Sequence, residues 1–408
     1  MYIDHIRLEN FRTFRSSDIA FVHPDQDFKK LGIPKPRFPN VNLLLGNNGF
    51  GKTTLLKAIA LASLGPAVGD SGIFPYRLVR RQPAVNEPLR AVLKAEFTPH
   101  AQDRCGLATI ESHVEVTLQG DLERLRWQHP EEKRWHPVFN SDSDAFFMVG
   151  YGATRRAEKA SRFQLGTKSG ERAKRVMGLF EEDYSLRPLN TWLPEMRSTN
   201  HGRYTQVLHL INRLMGKSHY LFNGEQDKEG EYVFERGGMK APFPALSDGY
   251  RAYVGWIADL LFHVCHTCPS GEKLVENRGI VMVDEIDLHL HPKWQMTVLP
   301  TLAKILPNLQ FIATSHSPLV VGSLEWMNII VMQPGPKQSS LARRLPEPVH
   351  GLDADQVLLT SFFGMESTRT GVKERRMKEL TLKARAGDDR AAEQLLRVWS
   401  KGIEKAKA

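Results

Sequence analysis

Gly46-Asn47-Asn48-Gly49-Phe50-Gly51-Lys52-Thr53 has the form G-x-x-x-x-G-K-[ST], a P-loop that cradles a nucleoside triphosphate. The flanks fit. Val41-Asn42-Leu43-Leu44-Leu45 is a short apolar run closed by a glycine, which predicts a buried strand. Thr53 to Leu64 predicts an apolar helix with Leu55, Leu56, Ile59 and Ala60 on one face. Strand, glycine loop and helix start come in the order the motif needs. Gly46, Gly49 and Gly51 let the backbone turn its N–H groups inward, where a Cβ would obstruct the phosphates. The helix start adds unpaired N–H groups and the positive end of its dipole. Lys52 can reach the β- and γ-phosphates, and the Thr53 hydroxyl can ligate Mg²⁺. Asn47, Asn48, Phe50 and Thr54 complete the candidate ATP-binding set. The plainer alternative is a glycine-rich turn with no ligand.

Three further stretches carry chemistry. Ile280-Val281-Met282-Val283-Asp284-Glu285 predicts a buried strand with two carboxylates at its carboxyl end, where ligands bind in an open α/β sheet. Asp284 can hold Mg²⁺ opposite Thr53, and Glu285 can take a proton from an attacking water. Leu309 to Thr314 predicts another buried strand, ending at Ser315-His316-Ser317-Pro318. His316 there can contact a γ-phosphate, although a lone histidine is as readily structural. Leu246-Ser247-Asp248-Gly249-Tyr250-Arg251 opens a helix to about His266, with Ser247 as its N-cap and Gly249 allowing close approach of a ligand.

The remaining segments organise the chain around these. Tyr2 to Leu8 alternates as a strand, and Ser17 to Val22 is a return strand. That hairpin is expected to form one edge of the sheet carrying the P-loop. Arg12 in its turn is either near the nucleotide or a plain surface charge. Leu89–Phe97, Thr109–Leu118 and Leu122–Trp127 predict an antiparallel β region. Ala145 to Val149 predicts a strand that exits through Gly150-Tyr151-Gly152-Ala153-Thr154-Arg155-Arg156. Ser161 to Gly170 reads as a polar, mobile stretch. Ala173–Tyr184, Arg187–Met196 and Thr205–Met215 read as helical, Pro292 to Lys304 as one helix, and Asn328 to Gln333 as the last strand. Leu352–Phe363 and a basic extension over 368–408 also read as helical. His289 and His291 suggest metal only faintly, with no third ligand apparent. His263, Cys265, His266 and Cys268 are too close together on one helix to surround a zinc ion.

The totals bound the class. The chain has 408 residues, 41% hydrophobic and 25% charged, as in an ordinary soluble protein. No apolar run is long enough to span a bilayer, and the start lacks a signal-peptide plan. Three cysteines make no disulfide framework, so a cytoplasmic location and no membrane partner are expected. The net charge of +9 is concentrated. Tyr151 to Arg175 holds eight basic and two acidic residues, and Glu366 to Ala408 holds twelve basic and seven acidic. These segments are either solvated helix faces or a surface for DNA or RNA.

As a set, Gly46–Thr53, Leu246–Arg251, Ile280–Glu285 and His316 resemble the Walker A, signature, Walker B and switch-histidine elements of an ABC-type ATPase head. Ile6-Arg7-Leu8-Glu9-Asn10-Phe11-Arg12 resembles the opening of the RecF/SMC/OLD branch. Asp284 to Pro292 is similar to the form in stand-alone ATPases of antiphage systems, Septu and retron-associated. The resemblance implies an α/β fold: a P-loop ABC-type head with a mixed sheet, an antiparallel β subdomain and an inserted helical lobe. The parts would be an N-terminal core over 1–150, a helical insertion over 151–245, a C-terminal core over 246–335 and a basic helical extension over 336–408. It also implies a homodimer or higher oligomer that buries ATP, with Ser247 and Gly249 acting in trans and Asp287 at the junction. Lys52, Glu285 and His316 would be catalytic, and Thr53 and Asp284 would hold Mg²⁺. Asp248 and Tyr250 stand where the common signature has Gly and Gln. No Q-loop glutamine is apparent, and Arg155 at the corresponding strand exit is the candidate replacement. No nuclease motif is visible. The leading expectation is therefore an ATPase that controls a separate effector, a nuclease, in antiphage defence. The alternative is a RecF-like, ATP-gated DNA-repair factor. A transporter subunit fits less well, given the long separation of P-loop and signature.

Overall fold

The computed structural model describes residues 1–69, 71–73, 76–81, 90–127, 145–157, 172–182, 184–216, 220–368, 380–381, 383–384 and 388–394. The stretch 161–170 and most of the basic extension over 368–408 lie outside these. The chain divides into two units, Met1–Leu352 and Asp353–Ala408. In the second, the helix expected over 352–363 is shorter, Ala354–Leu359, and starts with a capping box between Asp353 and Gln356.

In the first unit the strands are, in chain order, β1 (Tyr2–Phe11), β2 (Phe14–Ala20), β3 (Val41–Leu45), β4 (Arg90–Thr98), β5 (Ile110–Gln119), β6 (Leu122–Trp127), β7 (Met148–Tyr151) and β8 (Arg156–Ala157). Then follow β9 (Ser185–Leu186), β10 (Leu221–Gln226), β11 (Tyr232–Arg236), β12 (Met239–Pro242), β13 (Gly279–Val283), β14 (Leu309–Ser315), β15 (Ile329–Gly335) and β16 (Ser339–Arg343). The apolar run β3 lies inside a six-stranded sheet of order β16-β15-β3-β14-β13-β7. Only β16 is antiparallel in it. The register sets Leu45 beside Ser315, Val283 beside Ala313 and Tyr151 beside Val283. The carboxyl ends of β3, β14, β13 and β7 therefore open along one edge, which is where such sheets bind ligands.

The helix after the loop spans Lys52–Leu64 and is buried on eleven of its thirteen residues, not on one face only. An all-round apolar helix needs cover on all sides. A second, antiparallel sheet of order β2-β1-β4-β5-β6 supplies it. Leu44, Ile280, Met282 and Ile312 of the first sheet and Ile3, Leu8, Leu93 and Val114 of the second meet the helix in one core.

Here the structure corrects one expectation. The β1–β2 hairpin is not an edge of the P-loop sheet. β1 is paired on both sides, Leu8 with Ser17 and with Leu93, so the hairpin belongs to the second sheet. β2 and the turn lie along β16 without a strand ladder: the Ser340 N–H donates to the Thr13 carbonyl at 2.8 Å and the Ser17 hydroxyl to the Ser340 carbonyl at 3.4 Å. Other differences are local. β16 follows the expected last strand. Ala173–Tyr184 forms 3₁₀ turns over Lys174–Leu179 rather than a helix, with Gly178 near their end packed against the Gly150 carbonyl. Pro292–Lys304 is two helices, Pro292–Gln295 and Val298–Ile305. The stretch 151–245 carries the helix expected over Thr205–Met215, which starts one turn earlier at His201 and buries Val207, Leu210, Ile211 and Leu214, and also an antiparallel sheet, β10-β11-β12.

Two buried amides stitch the sheets together. Asn42 of β3 accepts from the Val22 N–H and donates to the Val22 carbonyl, both at 2.8 Å. Gln310 of β14 accepts from the Ile3 N–H at 2.9 Å and donates to the carbonyls of Ile3 and Val22 at 2.8 and 3.0 Å. Both side chains are fully buried. Replacing either with Leu strands buried backbone groups, at about 1–3 kcal/mol per group. Asn42→Leu or Gln310→Leu is therefore expected to lose about 2–5 kcal/mol in urea unfolding. A variant as stable as the parent would show that the amide carries no weight.

Candidate active site

The loop's glycines answer to the protein first. A Cβ on Gly46, at φ +152°, would lie 2.5 Å from the Met332 carbonyl oxygen of β15. One on Gly51, at φ +93°, would lie 2.5 Å from Thr13 Oγ1 and 2.8 Å from the Phe14 ring. The space beside Gly49 is open. Asn47, Asn48 and Gly49 are exposed, Phe50 packs against the core, and Thr54 is buried. Gly51 caps the helix without any side-chain bond, which leaves the first-turn N–H groups to a ligand.

Lys52 is buried at the mouth of the loop. Its ammonium donates to the carbonyls of Gly46 at 2.7 Å and Asn47 at 3.3 Å, and meets His316 Nε2 at 2.7 Å. Burial lowers its pKa, against the pull of Asp284, Glu285 and Asp287. Burial and then the Lys52 charge lower the pKa of His316. His316 is thus kept neutral, with Nε2 as the acceptor.

Asp284 joins three elements. The Thr53 hydroxyl donates to its Oδ2 at 2.7 Å and the Thr314 hydroxyl to its Oδ1 at 2.5 Å. Its backbone N–H donates to the Tyr151 carbonyl at 2.8 Å, extending the β13–β7 ladder. A hydroxyl and a carboxylate in contact at a helix start make an oxygen donor set that suits a hard cation such as Mg²⁺. Among the described residues no cluster of three His, Cys, Asp or Glu offers a cage of protein ligands. Mg²⁺ fits that pattern, since it takes one or two carboxylates and fills the rest with water and phosphate oxygens.

Glu285 follows in a left-handed conformation, φ +48°. Its N–H donates to Thr314 Oγ1 at 2.7 Å. Arg155 donates from Nη1 to the Asp284 carbonyl at 2.5 Å and from Nη2 to the Glu285 carbonyl at 2.8 Å. Burial pushes Arg155 down to about 10, opposed by Asp284, Asp287 and Glu285, so it stays charged. Asp287 Oδ1 is buried with no hydrogen-bond partner among the described residues.

Two residues of this set carried no role in the sequence reading. Thr314 holds both Asp284 and Glu285; a hydroxyl ending an otherwise apolar strand beside β13 was its signal. Gln295 donates to the Leu290 carbonyl at 2.9 Å and accepts from Ser317 Oγ at 2.7 Å, tying the turn after Glu285 to the residue after His316.

The Ser247–Arg251 loop lies on that same turn. Ser247 occupies the N-cap position of the Asp248–Thr267 helix, yet its exposed side chain makes no capping bond. A Cβ on Gly249 would meet the His289 carbonyl at 2.8 Å. Tyr250 packs edge-on to Trp294, ring centroids 4.4 Å apart, and Asp248 pairs with Arg251. The described contacts of Ser247 and Gly249 are with Arg251 and His289, and none reaches Gly46–Thr54. Lys52, Thr53, Asp284, Glu285 and His316 come together; Ser247 and Gly249 stand apart from them.

Residues 131–322 match the family described as "AAA domain, putative AbiEii toxin, Type IV TA system", and residues 5–138 match one described as "AAA domain". The Septu protein PtuA of Bacillus mycoides (strain KBAB4) is 24% identical over 377 residues, covering 91% of this chain and 46% of that protein. The chain thus spans about half the length of that relative. The Retron Vc95 probable ATPase of Vibrio cholerae serotype O1 biovar El Tor is 45% identical over 385 residues, covering 79% of this chain and 74% of the relative. A solved Smc head, bound to the C-winged helix domain of ScpA, overlays 85% of this chain and 98% of its own at TM-score 0.51 and 15% identity, so it shares the fold. The chain therefore belongs to the family of the Retron Vc95 probable ATPase.

Proposed function

We propose that the chain binds Mg²⁺ and ATP at Gly46–Thr54, hydrolyses the ATP as a dimer, and thereby controls a separate effector, a nuclease, in antiphage defence. The observation that carries the reading is the contact of Thr53 and Thr314 with Asp284, which joins the P-loop helix to two strand ends. Loop N–H groups and Lys52 would hold the phosphates; Lys52 already lies in the mouth where they would enter. Thr53 and Asp284 would hold Mg²⁺, which supplies charge neutralisation and orientation of the terminal phosphate. Glu285 would accept the proton of the attacking water, and neutral His316 would contact the terminal phosphate.

Support for a second copy comes from Ser247, exposed and uncapped, and from the Asp287 oxygen that has no partner among the described residues. The Septu and retron names of the relatives support the defence role. Three of the described basic residues over 151–175 are built into the protein. Arg172 and Arg175 are buried, Arg172 donates to the Ala145 carbonyl, and Arg155 is committed to the turn at Glu285.

Lys52→Ala should weaken ATP binding by about 100-fold or more, read by calorimetry. Glu285→Gln should still bind ATP while turnover drops by about 10²-fold or more, and it should accumulate as a dimer on gel filtration with ATP. Normal turnover in Glu285→Gln would remove that residue from its role. Mixing inactive Lys52→Ala with inactive Ser247→Arg should restore hydrolysis, because a mixed dimer has one complete site. No recovery would exclude a shared site. Affinity capture of the Glu285→Gln chain from its host should bring down a nuclease. Capture of DNA alone, in a salt-sensitive and ATP-dependent way, would favour the repair reading.

A further inference from the structure

We propose that Arg155 is the positioning residue for Glu285: it fixes the turn that carries this carboxylate through backbone carbonyls, without touching the nucleotide. The inference rests on the ATPase reading above.

Both peptide groups flanking the Glu285 Cα are held. Thr314 takes the N–H at 2.7 Å, and Arg155 takes the carbonyl at 2.8 Å together with that of Asp284 at 2.5 Å. The residue between them sits at φ +48°, which a side chain adopts only under constraint. The Glu285 carboxylate itself has no hydrogen-bond or ion-pair partner among the described residues. A cation bonded to that carboxylate would make it a poorer base. Bonded to the carbonyls instead, Arg155 holds the turn and leaves the carboxylate free.

Arg155 is itself firmly mounted. It donates back to the Gly152 carbonyl at 3.1 Å. A Cβ on Gly152 would lie 2.1 Å from the Gly178 carbonyl, and one on Gly150 would lie 2.6 Å from Leu179 Cδ1. Between these glycines, the buried Tyr151 hydroxyl donates to Asp259 Oδ2 at 2.8 Å. Asp259 belongs to the helix that Ser247 begins, so one five-residue segment ties the Glu285 turn to that helix. A guanidinium fork reaches two adjacent carbonyls at once, which an ammonium or an amide cannot match.

The test compares the full chain with Arg155→Lys and Arg155→Gln, each alone and with Glu285→Gln, measuring ATP affinity, kcat, KM and melting temperature. Both single variants should keep ATP affinity within about twofold. In Arg155→Lys, kcat should fall about 30-fold, equivalent to about 2 kcal/mol. On the Glu285→Gln background, the same change should alter residual turnover less than about twofold, because a positioning residue has nothing left to position. Unchanged kcat, a loss confined to ATP affinity, or a full 30-fold loss on the Glu285→Gln background would each overturn the inference. If one variant does not fold, the other decides. Absence of turnover in the parent chain would remove the ATPase reading and this inference with it; turnover in the parent matched by both variants would remove this inference alone.

Discussion

The Asp284 carboxylate, taking one hydroxyl from Thr53 and another from Thr314, is the interaction on which the site depends. A buried carboxylate is costly unless its oxygens are paired. Pairing it with these two partners brings a helix start and two strand ends to one point. The parallel register makes this reachable, since β13 ends with Val283 beside Ala313, which sets Asp284 next to Thr314, while Leu45 before the P-loop lies beside Ser315. Slip β14 by one residue and the Thr314 hydroxyl turns to the other face. Lys52 and His316 then complete a compact group in which a buried ammonium faces a neutral imidazole.

Holding that register requires the sheet to be anchored from outside. The antiparallel sheet does so from above the Lys52–Leu64 helix, and its own position is set by the amides of Asn42 and Gln310. Each amide stands in for a missing strand neighbour, exchanging bonds with Ile3 or Val22. Gly51 shows how tight the fit is, because the β1–β2 turn fills the space that its side chain would need. The glycine loop is thus shaped on one side by Met332 and on the other by Thr13 and Phe14. Phosphate binding and sheet packing place the same demand on these positions.

Much of this was legible in the chain. Strands β3, β13 and β14 are apolar runs with polar groups just past their ends, and apolar periodicity together with turn chemistry defines them locally. The P-loop, Asp284, Glu285 and His316 could be named because each sits at such an end. What escaped was non-local. Nothing near Asn42 or Gln310 says that a polar residue in an apolar strand will pair with Val22 or Ile3. The first hairpin was misplaced for the same reason: alternation shows that β1 is a strand, but not that β4 lies on its other side. The Ala173–Tyr184 stretch has helical spacing, yet it forms 3₁₀ turns over Lys174–Leu179. Arg155 stands out by its position at a strand exit, but its use of carbonyls depends on the left-handed turn at Glu285.

The central claim is that the backbone of Gly46–Thr54, presented by β3 and the helix start, is what grips a triphosphate. Hydrogen–deuterium exchange of the full chain, with and without saturating ATP and Mg²⁺, reads those N–H groups directly. The account predicts strong slowing across the Gly49–Thr53 peptide, with a smaller effect near Asp284. Unchanged exchange in that peptide at saturating nucleotide would contradict it.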